Sequence, residues 1–397
     1  MGVFRIVLIL GLVSATISCS NAHKNPKSFN VLDYGAVSDG ITDDSEAFLE
    51  AWNEACSSTG SENPTLVIPN QNFLLKPVVF SGPCQANNIS LQILGSILAP
   101  ASPKAWEGLN PGQWLAFQAI TGLNIAGPGQ IDGQGSGWWD QSCRDHPTLA
   151  VKFLSCKNCS LSNIHFINSS QAHVSIRNCD GININNLTIE APGNSPNTDG
   201  IHIHASQNLI INNIDIGTGD DCISIGDHTS NIQISQIRCG PGHGISIGSL
   251  GKGGSFVQVE SIYVSRVYLN GTSNGARIKT WQVGKGYVRG VIFEQFYLDS
   301  VKNPIIIDQN YCNIRGACKE QHTGVKISNV AFSDFKGTSS SDVAINLNCS
   351  RAVACTGILL TTIQLKSAKL EHNVTSSCTN AHGYSLGVVE PGSCLQN

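Results

Sequence analysis

The sequence predicts an all-β solenoid, in which short parallel strands from successive coils stack into a rod. The first observation behind this prediction is that Asp199, Asp221 and His243 are spaced 22 residues apart, twice in succession. The second is that each is followed by Gly or Cys and then an apolar–polar–apolar triplet, which alternates as a half-buried strand does. A repeat of this length cannot bury its own apolar face, so the copies must stack.

The triplets define which residues share a column on the rod. Equivalent residues of parallel strands lie about 4.8 Å apart. Asp199, Asp221 and His243 therefore fall in one column, and apolar residues of the triplets face inward. Arg277, in a fourth copy after a longer gap, joins the neighbouring outward column. The four triplets are Ile201-His202-Ile203, Ile223-Ser224-Ile225, Ile245-Ser246-Ile247 and Ala276-Arg277-Ile278.

Composition agrees with this fold and excludes one class of partner. The chain has 397 residues, of which 41% are hydrophobic and only 13% charged, with 40 glycines. This suits one large, turn-rich β domain, expected to span residues 23–397. The net charge is -4 and no Lys/Arg-rich run is present, which argues against nucleic-acid binding.

The N-terminus predicts secretion. Arg5 precedes an apolar run from Ile6 to Val13, and small residues follow, so residues 1–22 read as a signal peptide cleaved after Ala22. The alternative, a membrane anchor, requires about 18 apolar residues, and this run is shorter. We therefore expect a secreted protein with no membrane partner.

Cysteine usage fits the same compartment. Removal of the signal peptide takes Cys19 and leaves fourteen of the fifteen cysteines, an even number that suits a disulfide framework. Cys156 and Cys159 have CxxC spacing but no second such pair follows, so a zinc site is weakly supported. Seven Asn-x-Ser/Thr sequons also fit secretion, with their occupancy left open. The simplest guess for the pairing joins sequence neighbours: Cys56 with Cys84, Cys222 with Cys239, Cys312 with Cys318, Cys349 with Cys355, and Cys378 with Cys394.

One helix and a second strand ladder complete the predicted architecture. Residues 43–56 predict a short amphipathic helix with a capping box at Asp43 and Glu46, placed to cap the first coil. Asparagines precede the strands of the second ladder, where they supply turn geometry and can stack as an amide ladder. The cysteine-rich C-terminus is expected to seal the far end.

The predicted outer face brings together groups with complementary chemistry. Carboxylates stacked at one-coil spacing repel, so at least one should have a raised pKa. Glycosidic cleavage needs a carboxyl group that holds a proton beside a carboxylate that activates water. Neighbouring cations would bind a substrate carboxylate. The residues are Asp199, Asp220, Asp221, His243, Arg277 and Lys279, and they predict hydrolysis of an acidic polysaccharide.

Each residue also has a simpler interpretation taken alone. Asp199 in Asp-Gly suits a turn, and Asp220-Asp221 suits a turn or a calcium ligand pair. His243 between glycines suits a loop, and the two cations suit a solvated surface. The 22-residue register that links them argues against coincidence.

The segments NTD, GDD, GHG and RIK, in this order and spacing, resemble the motifs of polygalacturonases, the pectin-cleaving glycosidases of family 28. The resemblance covers nearly the whole mature chain. It implies a single-stranded right-handed parallel β-helix and inverting, cofactor-free and metal-free hydrolysis of α-1,4-linked galacturonate. One-coil spacing lies nearer the carboxylate separation of retaining enzymes, so the inverting outcome rests on the resemblance.

The resemblance also implies a role for each matched residue. Asp220 matches the proton donor, and Asp199 and Asp221 match the pair that activates water. His243 matches a histidine that tunes the acid or positions the substrate. The matched substrate-binding residues are Arg277 and Lys279, which bind galacturonate carboxylates, together with Asn197 and Tyr311.

Within the family the chain looks most like the plant, pollen-type branch, which favours exo action over endo action. His204 departs from the smaller residue expected there. We expect a monomer acting on pectin in the cell wall. One rival is a calcium-dependent pectate lyase, which chelation would inactivate. Another is a non-catalytic wall-binding protein. Substitution of Asp220 separates this interpretation, because unchanged release of reducing ends would remove Asp220 as the acid.

Overall fold

The structure is a computed structural model that describes residues 27–59, 63–110, 112–139, 150–312, 318–319 and 321–397. The signal peptide predicted for residues 1–22 lies outside the described residues. Within the described ranges, no helix combines the length and the apolar character needed to cross a bilayer.

The described residues form 29 strands and two α-helices, joined by short 3-10 turns at Val31–Tyr34, Pro103–Trp106 and Lys252–Gly254. The helices are α1 (Ser45–Cys56) and α2 (Ser136–Trp139). The first strands are β1 (Ser28–Asn30), β2 (Asp39–Asp43), β3 (Thr65–Ile68), β4 (Asn72–Leu74), β5 (Val78–Ser81), β6 (Ile89–Ile93), β7 (Ser96–Leu98), β8 (Leu115–Gln118), β9 (Leu123–Ala126), β10 (Gln130–Asp132), β11 (Val151–Leu154), β12 (Lys157–Ser162), β13 (His165–Ile167) and β14 (Val174–Arg177). The remaining strands are β15 (Asp180–Glu190), β16 (Ile201–His204), β17 (Gln207–Gly217), β18 (Ile223–Ile225), β19 (Thr229–Cys239), β20 (Ile245–Leu250), β21 (Phe256–Asn270), β22 (Asn274–Trp281), β23 (Lys285–Val301), β24 (Asn303–Tyr311), β25 (Lys326–Ser339), β26 (Val343–Asn348), β27 (Cys355–Ser367), β28 (Thr375–Thr379) and β29 (Ala381–Glu390).

These strands form two long parallel sheets that run the length of the rod. Sheet A contains 18 strands, and sheet B contains the 11 strands β5, β8, β11, β14, β16, β18, β20, β22, β24, β26 and β28 in that spatial order. Each coil contributes one strand to sheet B, and consecutive coils pair in parallel, as β16 with β18 and β18 with β20. The predicted parallel β-helix is confirmed.

The predicted outward column on sheet B is also confirmed. His202 pairs in register with Ser224, Ser224 with Ser246, and Ser246 with Arg277. The apolar members of the same triplets, such as Ile223 and Ile225, are fully buried. The sequence alternation therefore sets which side of each strand meets the core and which meets the groove.

Sheet A contains the predicted asparagine ladder. Asn163, Asn186 and Asn213 have φ angles of 59°, 53° and 55°, in the left-handed region that Asn tolerates better than most residues. The Asn186 Nδ2 atom donates to Asn163 Oδ1 at 2.7 Å, and Asn213 Nδ2 donates to Asn186 Oδ1 at 2.9 Å. All three asparagines therefore turn the chain, and Asn186 and Asn213 also bond to the coil before them.

The core contains stacked aromatic rings as well as columns of isoleucine. Phe296 stacks on Phe335 with ring centroids 4.6 Å apart, and Phe293 stacks on Phe332 at 5.4 Å. All four side chains are fully buried. Equivalent residues from successive coils thus fill the interior layer by layer.

Helix α1 covers the N-terminal end of the core, as predicted, but it begins later than the sequence suggested. Its N-cap residue is Asp44, whose side chain makes no capping bond. The Asp44 carboxylate instead accepts the backbone N–H groups of Val37 and Ser38. The capping box at Asp43 and Glu46 is therefore wrong, because Asp43 ends strand β2.

The five predicted disulfides are all present: Cys56–Cys84, Cys222–Cys239, Cys312–Cys318, Cys349–Cys355 and Cys378–Cys394. Complete pairing of the remaining cysteines is not observed. Cys156, Cys159 and Cys179 are buried free thiols, and Cys143 lies outside the described residues. The CxxC pair thus belongs to the packed interior.

We predict that Phe296→Ala lowers the free energy of unfolding by about 3–5 kcal/mol, because it removes a fully buried ring from a stacked column. Tyr297→Ala is the matched control, since Tyr297 is the next residue and points outward with 48% exposure. Urea denaturation of both variants would test this. Equal losses in the two variants would contradict the layered core.

Candidate active site

The loops that enter three neighbouring strands of sheet B carry the candidate acids and imidazole. Asp199 precedes β16, Asp220 and Asp221 precede β18, and His243 precedes β20. The backbone joins these loops, because Gly200 N–H donates to Asp221 O at 3.0 Å and His243 N–H donates to Asp220 O at 2.7 Å. The parallel register therefore turns a 22-residue spacing into direct contact between coils.

Asp221 is the most enclosed of the three carboxylates. One of its oxygens accepts from Arg277 Nη2 at 2.5 Å and from Ser246 Oγ at 2.8 Å, and the other accepts from Lys279 Nζ at 2.9 Å. Burial alone would raise the pKa of Asp221, but the charges of Arg277 and Lys279 outweigh it and lower the pKa to about 2. Asp221 is therefore an anion at any physiological pH.

Asp199 has the opposite electrostatic environment. Its carboxylate accepts from Ser224 Oγ at 2.6 Å and lies 3.9 Å from His202 Nδ1. Burial, followed by repulsion from Asp220 and Asp221, raises its pKa well above the usual range. The direction agrees with the expectation that at least one carboxylate has a raised pKa, but burial contributes more to it than the expected repulsion.

Asp220 turns toward the groove while its neighbour Asp221 turns into the protein. The Asp220 side chain is 24% exposed and that of Asp221 only 3%. Asp220 Oδ1 lies 3.0 Å from His243 Nδ1 and also accepts the backbone N–H of Asp221 at 2.8 Å. Asp220 and His243 thus form a pair that is open to a ligand.

Arg277 and Lys279 extend from β22 on the same side of the strand, as predicted. The exposed fractions of their side chains are only 14% and 10%, because both reach inward to Asp221. Lys279 Nζ also lies 5.7 Å from the centre of the Tyr311 ring, and Tyr311 meets Trp281 edge to face at 5.6 Å. The cations therefore support the acids as well as lining the groove.

All eight sequence-predicted residues line one cavity of about 620 Å³. The prediction that distant segments meet in one groove is therefore confirmed. The eight residues are Asn197, Asp199, Asp220, Asp221, His243, Arg277, Lys279 and Tyr311.

Sequence reasoning missed several other residues of this cavity. Ser224 and Ser246 stand in the predicted outward column, and that position was the only signal for their bonds to Asp199 and Asp221. Lys252 and Trp281 follow the recognised motifs and line the cavity without a spacing signal of their own.

Among the described residues, one cluster has the spacing of a metal site. Ligand atoms of Asp220, Asp221 and His243 lie within 4.8 Å of one another. However, both Asp221 oxygens already accept from a side-chain cation. A divalent ion would have to compete with Arg277 and Lys279, so this donor set fits a metal poorly.

Comparisons with known proteins agree with this arrangement. The chain is 43% identical to a probable polygalacturonase of Arabidopsis thaliana, over 96% of this chain and 87% of that one. It is 42% identical to a polygalacturonase of Malus domestica, over 96% and 82%. The solved structure of a polygalacturonase from Erwinia carotovora superposes with a TM-score of 0.73 at 26% identity, over 91% of this chain and 97% of that one.

The family comparison covers most of the chain. Residues 56–394 match the description Glycosyl hydrolases family 28. This span contains the three carboxylates, the imidazole and the two cations of the groove. With the identities above, it shows that the chain belongs to glycosyl hydrolases family 28.

Proposed function

We propose that the protein is a polygalacturonase that hydrolyses α-1,4-galacturonosyl linkages of pectin. The observation that carries the proposal is that three adjacent carboxylates have three different environments. Asp221 is held as an anion, the pKa of Asp199 is raised, and Asp220 faces the groove beside His243. A glycosidase needs a proton donor and a base on either side of the bond it breaks.

In this proposal Asp220 donates the proton to the leaving glycosidic oxygen. Asp199 and Asp221 orient a water molecule, which adds to the sugar carbon as the glycosidic bond breaks and gives up its proton to Asp199. The raised pKa of Asp199 makes it a stronger base than an ordinary carboxylate once it is ionised. After the reaction Asp199 is protonated and Asp220 is ionised. A net transfer of one proton from Asp199 to Asp220 restores the starting state. Direct attack by water inverts the anomeric configuration.

Arg277 and Lys279 bind the substrate carboxylate in this proposal, and Asn197 and Tyr311 contact the sugar. Each cation uses one nitrogen on Asp221, while a guanidinium has five N–H donors and an ammonium has three. Donors therefore remain for a galacturonate. His243 positions the substrate or tunes Asp220 through the 3.0 Å contact.

We also propose exo action, which is the finer part of the function. Its support is the likeness of the motif segments to the pollen-type branch.

The working unit is proposed to be a secreted monomer in the cell wall. All eight candidate residues come from one chain, so the groove needs no second copy. Five disulfides suit an oxidising compartment.

Asp220→Asn should lower kcat on polygalacturonate by about 10²–10⁴-fold, because an amide cannot act as the general acid. Reducing-end release measures this, and Asp299→Asn, an exposed aspartate on sheet A, is the control. Wild-type activity in the variant would remove Asp220 from its role. Loss of wild-type activity with EDTA, or an unsaturated product absorbing in the ultraviolet, would indicate a lyase instead.

Ser224→Ala should move the acidic limb of the kcat/KM profile to higher pH. The Ser224 hydroxyl stabilises the ionised form of Asp199, so its loss raises the Asp199 pKa further and leaves less base at low pH. Ser246→Ala is the matched control, since its hydroxyl donates to Asp221. A shift of the basic limb instead would make Asp199 the acid.

Exo action predicts that the enzyme releases only monomer from a long oligogalacturonate, from the earliest time points. Chromatography of the products against time measures this, since each cut at a chain end frees a single ring. A ladder of intermediate lengths at early times would instead establish endo action, without affecting the hydrolytic assignment.

A further inference from the structure

A second cavity adjoins the candidate active site. Its volume is about 300 Å³, and it shares Asn197, Asp199 and His202 with the main cavity. Its other charged or titratable lining groups are Lys152, Arg177 and His204. Because the two cavities have three lining residues in common, they are adjacent parts of one groove.

The second cavity lies at the opposite end of sheet B's outward column from Arg277. Lys152 pairs with Ser175, and Ser175 with His202, in the column that continues through the serines to Arg277. Lys152 and Arg277 are therefore separated by five strand steps, or roughly 24 Å. Arg177 and His204 pair with each other one position further along their strands. Cations thus stand on both sides of the carboxylates.

The positive charge of this cavity is poorly neutralised. Among the described residues, no carboxylate forms an ion pair with Arg177 or Lys152, and Lys152 Nζ instead donates to the carbonyl of Gly112 at 3.4 Å. Asp227 lies near His204 but is engaged by His228 at 2.9 Å. Asp199, the acid that lines the cavity, has a raised pKa.

The basic groups also act on one another. Burial and then the charge of Arg177 lower the pKa of Lys152, and the same two causes lower that of His204. A bound anion would relieve this repulsion. Arg177 is exposed to the groove, and its planar guanidinium matches a carboxylate with two parallel N–H donors.

We propose that this cavity binds the carboxylate of the uronate on the Asp199 side of the scissile bond, with Arg177 as the main donor and Lys152 and His204 beside it. The proposal rests on the proposed function, since it takes the ligand to be the same polyuronate. A neutral sugar, or a uronate whose carboxyl is esterified, gains no charge pairing with Arg177. In this proposal Arg177 therefore determines specificity for free acid on this side, as Arg277 and Lys279 do on the other.

The test compares Arg177→Gln with the wild-type protein on oligogalacturonates from dimer to hexamer. KM should rise about ten- to a hundredfold in the variant, the range for a lost charged hydrogen bond, while kcat at saturation stays within about twofold. Arg177→Lys should recover part of the affinity. Arg289→Gln, which removes an exposed arginine of sheet A paired with Glu260, is the matched control and should match the wild type.

Binding measured without turnover separates the two proposals. Calorimetric titration of a hexamer into Asp220→Asn and into Asp220→Asn/Arg177→Gln should give an affinity at least about tenfold weaker for the double variant. Equal affinities, together with an unchanged KM in Arg177→Gln, would overturn the second uronate site. Absence of hydrolysis by the wild-type protein would overturn the proposed function instead, whatever the titrations give.

A methyl-esterified oligomer provides the chemical control. The difference in affinity between the two titrated proteins should disappear on it, because the ester carries no charge. A difference of the same size on the esterified oligomer would mean that Arg177 acts by shape or packing, and it would also overturn the proposal.

Discussion

The ion pairs of Asp221 with Arg277 and Lys279 hold the groove together. They join strand β22 to the loop before β18, across the intervening strand β20, and Ser246 from that strand completes the network. A buried carboxylate costs several kcal/mol to desolvate, and only close partners offset that cost. Removing either cation would leave Asp221 with a single charged partner and would compensate its buried charge less completely. Substitution of Arg277 or Lys279 should therefore disturb stability as well as substrate binding.

This fixed anion sets the chemistry of its neighbours. Because Asp221 cannot take up a proton at physiological pH, its charge bears on Asp199 together with that of Asp220. Of the three carboxylates, Asp199 is therefore the one whose protonated form is favoured by burial and by its charged neighbours. A rod of stacked coils brings such groups together because hydrogen bonds between the coils fix the spacing.

The sequence predicted those features that depend on local spacing. Register follows from the 22-residue repeat, and the five disulfides join cysteines that stacking or short loops bring together. The helix start was misplaced because Asp44 binds Val37 and Ser38, a contact that no local pattern encodes. Lys152 and Arg177 gave no signal either, since their strands carry no recognised motif. Their place beside the acids follows only from the pairing of β11, β14 and β16.

The two pairs of cations, Arg277 with Lys279 and Arg177 with Lys152, offset the negative charge of the three carboxylates. A groove lined by three carboxylates repels a polyanion, and the chain as a whole carries a net charge of -4. The negative charge of the carboxylates must therefore be balanced by nearby cations if a uronate chain is to bind. Asp221 forms ion pairs with Arg277 and Lys279 and so neutralises part of their charge. Arg177 and Lys152 have no carboxylate partner of this kind among the described residues. The less neutralised side of the groove is thus the one better able to draw in the substrate, and the acids lie between it and the cations that support them.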